Sequence, residues 1–77
     1  MKEVLEVMAR GLVEDKDAVQ VTVDEPDEEG VIVYHLSVAE GDVGRVIGKQ
    51  GKIAKAIRTV MRSAAVRNGQ HVSVEID

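Results

Sequence analysis

The chain has 77 residues, the length of one small domain, and a domain of this size buries only about 60% of the surface that its unfolded chain exposes. Its composition, 44% apolar and 31% charged, excludes a disordered chain, and its longest apolar run is far shorter than the ~20 residues that a bilayer requires. The absence of cysteine excludes a disulfide scaffold and a cysteine-ligated zinc module. Because no basic segment followed by an apolar one opens the chain, we expect a cytosolic protein and not a secreted one.

The net charge of −4 conceals an uneven distribution of charge along the chain. Residues 1–42 carry twelve acidic and three basic side chains, a balance of −9, whereas residues 43–70 carry seven basic side chains and no acidic one. Phosphate binding depends on the local potential more than on the total charge. Residues 43–70, the basic segment, are therefore the first candidate for a functional site.

The first half of the chain predicts a helix and two strands. Apolar residues at helical spacing over Lys2–Leu12 predict the helix, and Gly11 lies close to its expected end. Strict alternation over Ala18–Asp24 predicts a half-buried strand. The acidic stretch Glu25–Gly30 lacks the spacing of an EF-hand loop, so we interpret it as a solvated hairpin turn and not as a metal site. The β-branched run Val31–Val38 predicts a second, central strand.

The second half predicts a long helix and a last strand. The helix is expected over about Lys52–Val66, with an apolar stripe facing the core and a basic stripe beside it. The apolar stripe consists of Ile53, Ala56, Ile57, Val60, Met61 and Ala64, and the basic stripe of Lys55, Arg58 and Arg62. Asn68 and Gly69 end the helix, because both residue types tolerate the left-handed conformation found at helix C-termini. Alternation over residues 71–76 then predicts the third strand.

Four of the seven glycines lie between the second strand and the long helix, at positions 41, 44, 48 and 51. Their spacing is not that of the G-x-G-x-x-G dinucleotide fingerprint. The run that begins at Gly44 is one residue too short for a P-loop, and it lacks the hydroxyl that would hold magnesium. A nucleotide hydrolase is therefore not expected, and no nucleophile–base pair or metal-ligand cluster in the sequence indicates another enzyme.

Gly48–Gly51 instead forms a G-x-x-G turn with apolar residues on both sides. The two glycines allow a tight turn and a close approach to a sugar-phosphate chain, since no Cβ atom stands in the way. The backbone N–H groups at the start of the following helix attract phosphate, and Lys49 and Lys52 add positive charge there. Ile47 and Ile53 are expected to anchor the two flanking helices to the sheet.

The segment Val46–Ile53, VIGKQGKI, resembles the KH domain, in which a G-x-x-G loop clamps about four nucleotides. The element order resembles that of the type II (prokaryotic) KH domain, an α+β fold of order α-β-β-α-α-β with three helices covering one face of a three-stranded mixed sheet. The resemblance spans residues 1–77 as a single KH domain. The length, the N-terminal helix and the run VGRVIGKQGKIAKAIRTVMRSAA are similar to those of the small stand-alone bacterial KH proteins of the KhpA family.

The resemblance implies a protein that binds single-stranded RNA without catalysis, cofactor or metal. It also implies a homodimer, or pairing with a larger multidomain KH protein of the KhpB (Jag or EloR) type. The implied role is post-transcriptional control, as a regulator or RNA chaperone, with links to cell elongation and division in some bacteria.

The same resemblance implies which residues contact RNA. They are Arg45, Ile47, Gly48, Lys49, Gln50, Gly51, Lys52 and Lys55. Arg45 and Ile47 would border the nucleotide groove from the preceding helix, and Lys52 and Lys55 would line it from the following one. The second strand, near Val33–Leu36, would form the opposite wall.

Two other functions stay open at the level of sequence. The chain can be an adaptor whose KH fold serves a protein partner, which the charge of −9 over residues 1–42 favours, or it can bind single-stranded DNA. The apolar residues Val60, Met61, Ala64 and Ala65 belong to the core or to a helix-on-helix dimer contact. The basic stripe is either a phosphate-facing surface, which we favour for Lys55, or a solvated helix face.

The histidines and the tyrosine are expected to have structural or surface roles. His35 and His71 lie in strand patterns with no acid or hydroxyl partner at a persuasive spacing. Tyr34 is an aromatic residue in an apolar strand, where a core or edge position is more common than base stacking. The lack of Phe and Trp argues against nucleic-acid-binding folds that depend on stacking aromatics.

Overall fold

The sheet forms from the β-branched run in the middle of the chain and from the two segments in which apolar residues alternate with polar ones. In the computed structural model, which describes residues 1–76, strand β1 runs over Gln20–Val23, β2 over Val31–Ser37 and β3 over His71–Ile76. β2 is the central strand, antiparallel to β1 and parallel to β3. β1 begins two residues later than predicted, because Lys16–Ala18 forms a 3₁₀ turn before it.

Parallel pairing of β2 with β3 requires a crossover connection, and two helices supply it. Helix α1 covers Lys2–Leu12, α2 covers Val43–Ile47 and α3 covers Lys52–Arg67. α2 and α3 form the crossover, and the Gly48–Gly51 turn lies between them. The element order and the mixed sheet confirm the predicted α+β fold of the type II KH domain.

Every helix is fixed to the central strand by a large side chain in a common core. These side chains, all 0% exposed, are Leu5 of α1, Leu36 of β2, Val46 of α2 and Met61 of α3. Alternate residues of the strands complete the core on the same side of the sheet, among them Val21, Tyr34 and Val74. All three helices therefore cover one face of the sheet, and Tyr34 is a core residue, as predicted.

The orientation of α3 differs in part from the predicted one. The helix buries Ala54, Ile57, Met61 and Ala65. Ala56 is exposed, and Val60 is 45% exposed, so the prediction that these two face the core was wrong. Ala54 and Ala65, which lay outside the predicted stripe, are buried instead. No helix within residues 1–76 is long and apolar enough to span a bilayer.

Candidate nucleic-acid interface

The Gly48–Gly51 turn has a backbone conformation that requires glycine at its first position. Gly48 has φ 76° and ψ 173°, a region of backbone space that is essentially restricted to glycine. A Cβ atom at this position would also lie 2.6 Å from Cγ1 of Ile53. A side chain at position 48 would therefore meet backbone strain and a steric clash together.

The second half of the turn is left-handed at two successive residues. Gln50 has φ 57° and ψ 25°, and Gly51 has φ 74° and ψ 14°. The N–H of Gly51 donates to the carbonyl oxygen of Gly48 at 3.1 Å and closes the turn. A Cβ atom at position 51 would have no neighbour within 4 Å. Glycine at 51 therefore serves the backbone conformation alone, whereas glycine at 48 also makes room for Ile53.

The turn leads directly into the N-terminus of α3, which begins at Lys52. Gly51 occupies the N-cap position, and no side chain of residues 1–76 caps this helix end. The N–H of Lys52 itself donates to the carbonyl oxygen of Lys49 in the preceding turn. The first N–H groups of a helix lack partners within the helix and carry the positive end of its dipole. Their arrangement beside a glycine turn is one that binds anions such as phosphate.

Three lysines surround this helix end without carboxylate partners. Lys49, Lys52 and Lys55 are exposed, and none of them forms an ion pair with another residue of the described chain. Gln50, between the first two, is exposed as well. The structure therefore brings Gly48, Lys49, Gln50, Gly51, Lys52 and Lys55, six of the eight predicted contact residues, together around one positively charged turn.

Arg45, the seventh residue, is placed differently. Its Nη2 atom lies 2.8 Å from Oε1 of Glu14, and its Nε atom lies 3.1 Å from Oδ1 of Asp42. The side chain is half exposed, three positions before the turn on α2. Its guanidinium is engaged by two carboxylates, whereas the three lysines at the turn have no such partner within the described residues.

Asp42 is the buried charged residue of this region, and its long-range contacts could not be predicted from sequence. Its Oδ1 and Oδ2 atoms accept hydrogen bonds from the backbone N–H groups of Glu14 at 3.2 Å and Asp15 at 3.1 Å. The Asp15 N–H, with the Glu14 N–H and the Arg45 guanidinium, lowers the pKa of the Asp42 carboxyl below its usual value despite the opposing effect of burial. The carboxylate thereby fastens the loop after α1 to the start of α2.

Ile47, the eighth residue, does not anchor α2. Its side chain is 37% exposed, whereas that of Val46 is fully buried. The predicted anchoring role of Ile47 was therefore wrong, because a helix of five residues directs only one of these two neighbours toward the core. Ile53, partly buried against the core and against Gly48, does anchor the start of α3 as predicted.

The strand edge next to the crossover helices belongs to β3. β2 is hydrogen-bonded on both sides, and its residues Tyr34 and Leu36 are buried. Within the described chain, no strand pairs with the outer edge of β3, and α3 packs against this strand. Arg58 of the basic stripe donates from Nε to the carbonyl oxygen of Val74 at 3.2 Å. Because Tyr34 and Leu36 are buried, the predicted groove wall near Val33–Leu36 would have to be formed by the side chains on the other face of β2, which no helix covers.

His35 has the acidic partners that the sequence did not indicate. Its Nε2 atom lies 2.8 Å from Oδ2 of Asp24, and its Nδ1 atom lies 3.4 Å from Oε2 of Glu75. The prediction of no acid partner was wrong, because these carboxylates come from the two neighbouring strands and not from residues close in sequence. In residues 1–76, no group of three His, Asp or Glu side chains is arranged to hold a metal ion.

Comparisons with known proteins agree with this architecture. A family model described as the KH domain of KhpA and KhpB matches residues 2–76. Two relatives named RNA-binding protein KhpA, from Clostridium acetobutylicum and Clostridium perfringens, are 53% and 47% identical over 76 residues, with 99% of both chains covered in each case. A third, from Aquifex aeolicus, is 41% identical, with 99% of this chain and 94% of the relative covered.

The fold also occurs inside a larger protein. A crystal structure of Aquifex aeolicus Era bound to GDP and aluminium fluoride superposes with a TM-score of 0.67 at 22% identity, covering 97% of this chain and 28% of the Era chain. The two Clostridium relatives carry the name of RNA-binding proteins and not of enzymes, in agreement with the non-enzymatic role predicted from sequence. With the family model matching nearly every residue, the chain belongs to the KhpA/KhpB family of KH domains.

Proposed function

We propose that this protein binds single-stranded RNA without catalysis, holding the sugar-phosphate backbone on the Gly48–Gly51 turn. The observation that carries the proposal is the N-terminus of α3, which has no side-chain cap, follows two glycines and is surrounded by lysines that form no ion pair within residues 1–76. The name shared by the KhpA relatives supports RNA as the ligand.

Each residue of the turn has a distinct part in this proposal. The N–H groups that follow Lys52 in the first turn of α3 bind a phosphate, and Gly48 and Gly51 let the RNA backbone approach them closely. Lys49, Lys52 and Lys55 supply electrostatic attraction that does not depend on base identity. One turn therefore has little preference for particular bases. Two KH domains that bind one RNA together select the targets.

Fluorescence anisotropy of a labelled single-stranded RNA tests the proposal. The wild type is titrated at several salt concentrations beside a variant with Lys49→Asp and Gln50→Asp. Both positions are exposed, and aspartate tolerates the left-handed conformation of position 50, so the variant is expected to fold. We expect wild-type affinity to fall by about 0.7 log units per phosphate contact for each tenfold rise in salt, and the variant to lose binding.

A second double variant, Lys2→Asp with Gln70→Asp, changes the net charge by the same amount at exposed positions outside the turn. It should retain most of the affinity. Equal losses in both variants, or no salt-dependent binding by the wild type, would contradict the clamp. A DNA oligonucleotide of the same sequence shows whether the 2′-hydroxyl contributes, which separates RNA from single-stranded DNA as the ligand.

We further propose that the protein acts as a homodimer or with a KhpB-type partner in post-transcriptional control in the cytoplasm. The supporting feature is an apolar groove of about 350 Å³ between α1 and α3, the α1–α3 groove, lined mainly by Met8, Leu12, Ile53, Ala56 and Val60. Val4 and Ala64 continue the apolar surface past Val60. Met61 and Ala65 are buried in the core, so the dimer contact expected from sequence is assigned to Val60 and Ala64 alone.

The same groove favours the adaptor as the second candidate function. In that case the groove, and not the glycine turn, carries the biological activity. An unaltered partner complex in the Lys49→Asp, Gln50→Asp variant, together with no RNA binding by the wild type, would support the adaptor.

A further inference from the structure

The ion pair between Glu14 and Arg45 lies close to the proposed RNA clamp. Arg45 stands on α2, three residues before Gly48, and its Nη2 atom contacts Oε1 of Glu14 at 2.8 Å. We propose that Glu14 competes with RNA phosphate for Arg45, so that the pair lowers RNA affinity in the free protein and opens when RNA binds. This inference depends on the proposed RNA-binding function.

The position of Glu14 is fixed by the fold. Its backbone N–H donates to Oδ1 of Asp42, and that of Asp15 donates to Oδ2 of the same carboxylate. Asp42 immediately precedes α2, so the loop that carries Glu14 is fastened to the helix that carries Arg45. The carboxylate of Glu14 is therefore held within reach of the guanidinium.

Of the two carboxylates that contact Arg45, that of Glu14 is the more easily replaced by another anion. Glu14 is 77% exposed and Arg45 is 50% exposed, whereas the Asp42 side chain is only 5% exposed. An ion pair as exposed as that of Glu14 and Arg45 contributes little to stability, because water screens it. Asp42 keeps both of its backbone donors if the guanidinium moves, so moving Arg45 leaves no buried charge without a hydrogen bond.

Phosphate is a suitable replacement for the Glu14 carboxylate. A guanidinium presents several N–H donors in one plane and binds phosphate through two parallel hydrogen bonds. Asp42, Glu14 and Arg45 together carry a charge of −1, next to a turn whose remaining side chains are neutral or basic. Neutralising Glu14 removes this negative charge and frees the donors that face outward.

Glu14→Gln tests the inference in the anisotropy titration. We expect RNA to bind about two- to five-fold more tightly, the range that corresponds to the loss of one exposed ion pair. Arg45→Gln should weaken binding, and the gain from Glu14→Gln should vanish when the two substitutions are combined. Glu14→Ala is the second variant, and it should fold, because only the backbone of residue 14 contacts Asp42.

Asp15→Asn is the matched control. It removes one negative charge one residue away, at an exposed side chain that has no ion pair with Arg45 within the described residues. Equal gains from Asp15→Asn and Glu14→Gln would overturn the inference, because they would show an effect of total charge. A gain from Glu14→Gln that persists in the Arg45→Gln background would overturn it as well.

The wild type and the Lys49→Asp, Gln50→Asp variant, measured alongside, separate this inference from the function on which it rests. If the wild type binds through the turn and Glu14→Gln does not change the affinity, competition by Glu14 is refuted and the clamp stands. If the wild type shows no binding that depends on the turn, both proposals fail.

Discussion

At the scale of single residues, the two signature glycines are predicted to differ in their effect on stability. Gly48→Ala introduces a Cβ atom 2.6 Å from Ile53 in a backbone region restricted to glycine, and we expect it to cost about 3 kcal/mol or more. Gly51→Ala meets only the left-handed conformation, at a cost of about 1–2 kcal/mol. Urea unfolding measures both values.

Gly44→Ala is the control for these two substitutions, because Gly44 lies within α2 and a Cβ atom there has no neighbour within 4 Å. Alanine at this position is expected to stabilise the protein by about 0.5–1 kcal/mol. Similar losses for Gly48→Ala and Gly51→Ala would show that Ile53 moves aside, contrary to the packing described above.

Asp42 is predicted to make stability depend on pH in the acidic range. Its pKa is lowered in the folded state, chiefly by the backbone N–H of Asp15. The ionised carboxylate therefore stabilises the fold above the pKa that Asp42 has in the unfolded chain, about 3.9, and this contribution is lost as the pH falls through the lower folded-state value.

Urea midpoints measured between neutral and strongly acidic pH test this prediction. Asp42→Asn should be less stable than the wild type at neutral pH, and the difference should shrink as the pH falls through the range below 3.9. Asp17→Asn, at an exposed position, is the control and should run parallel to the wild type. A constant difference between Asp42→Asn and the wild type across this range would contradict the assignment.

At the scale of elements, local patterns predicted the helices and strands, but not their contacts. The period of apolar residues placed α1 at Lys2–Leu12 and α3 within one residue of its observed end. The same pattern misplaced the buried face of α3, because alanines flank Ile57 and Met61 on both sides of the helix. Periodicity alone does not choose between Ala54 and Ala65 on one side and Ala56 and Ala64 on the other.

Contacts between elements that are distant in sequence explain the remaining differences. Asp42 binds backbone groups 28 and 27 residues away, and His35 lies between carboxylates of two neighbouring strands. No local spacing encodes such contacts, whereas the G-x-x-G turn is a local feature and was found where the sequence placed it. Among these long-range contacts, the ion pairs of Arg45 with Glu14 and Asp42 matter most for the candidate site, because they occupy a predicted RNA-contact residue.

At the scale of the whole molecule, a chain of 8.3 kDa has little core and gains stability by covering its apolar surface. The α1–α3 groove is the surface on which a second copy is proposed to dock. Its lining extends to Lys52 and Ile53 in the first turn of α3, so the groove borders the helix end that carries the lysines. A dimer formed through the groove therefore presents two turns, and two linked sites bind one RNA more tightly than either alone.

Sedimentation equilibrium of Val60→Glu tests this arrangement. Val60 is 45% exposed at the groove, and a buried glutamate without a partner would oppose association, so we expect the wild type at twice the 8.3 kDa chain mass and the variant at the chain mass. Val66→Glu is the control on the same helix, since Val66 is 70% exposed and does not line the groove. If both variants dimerise like the wild type, or if the wild type is monomeric at tens of micromolar, the groove does not join two copies. If the wild type is monomeric, the proposed occupant of the groove is the KhpB-type partner. A complex with that partner that is lost in Val60→Glu but kept in Val66→Glu would then assign the groove to it.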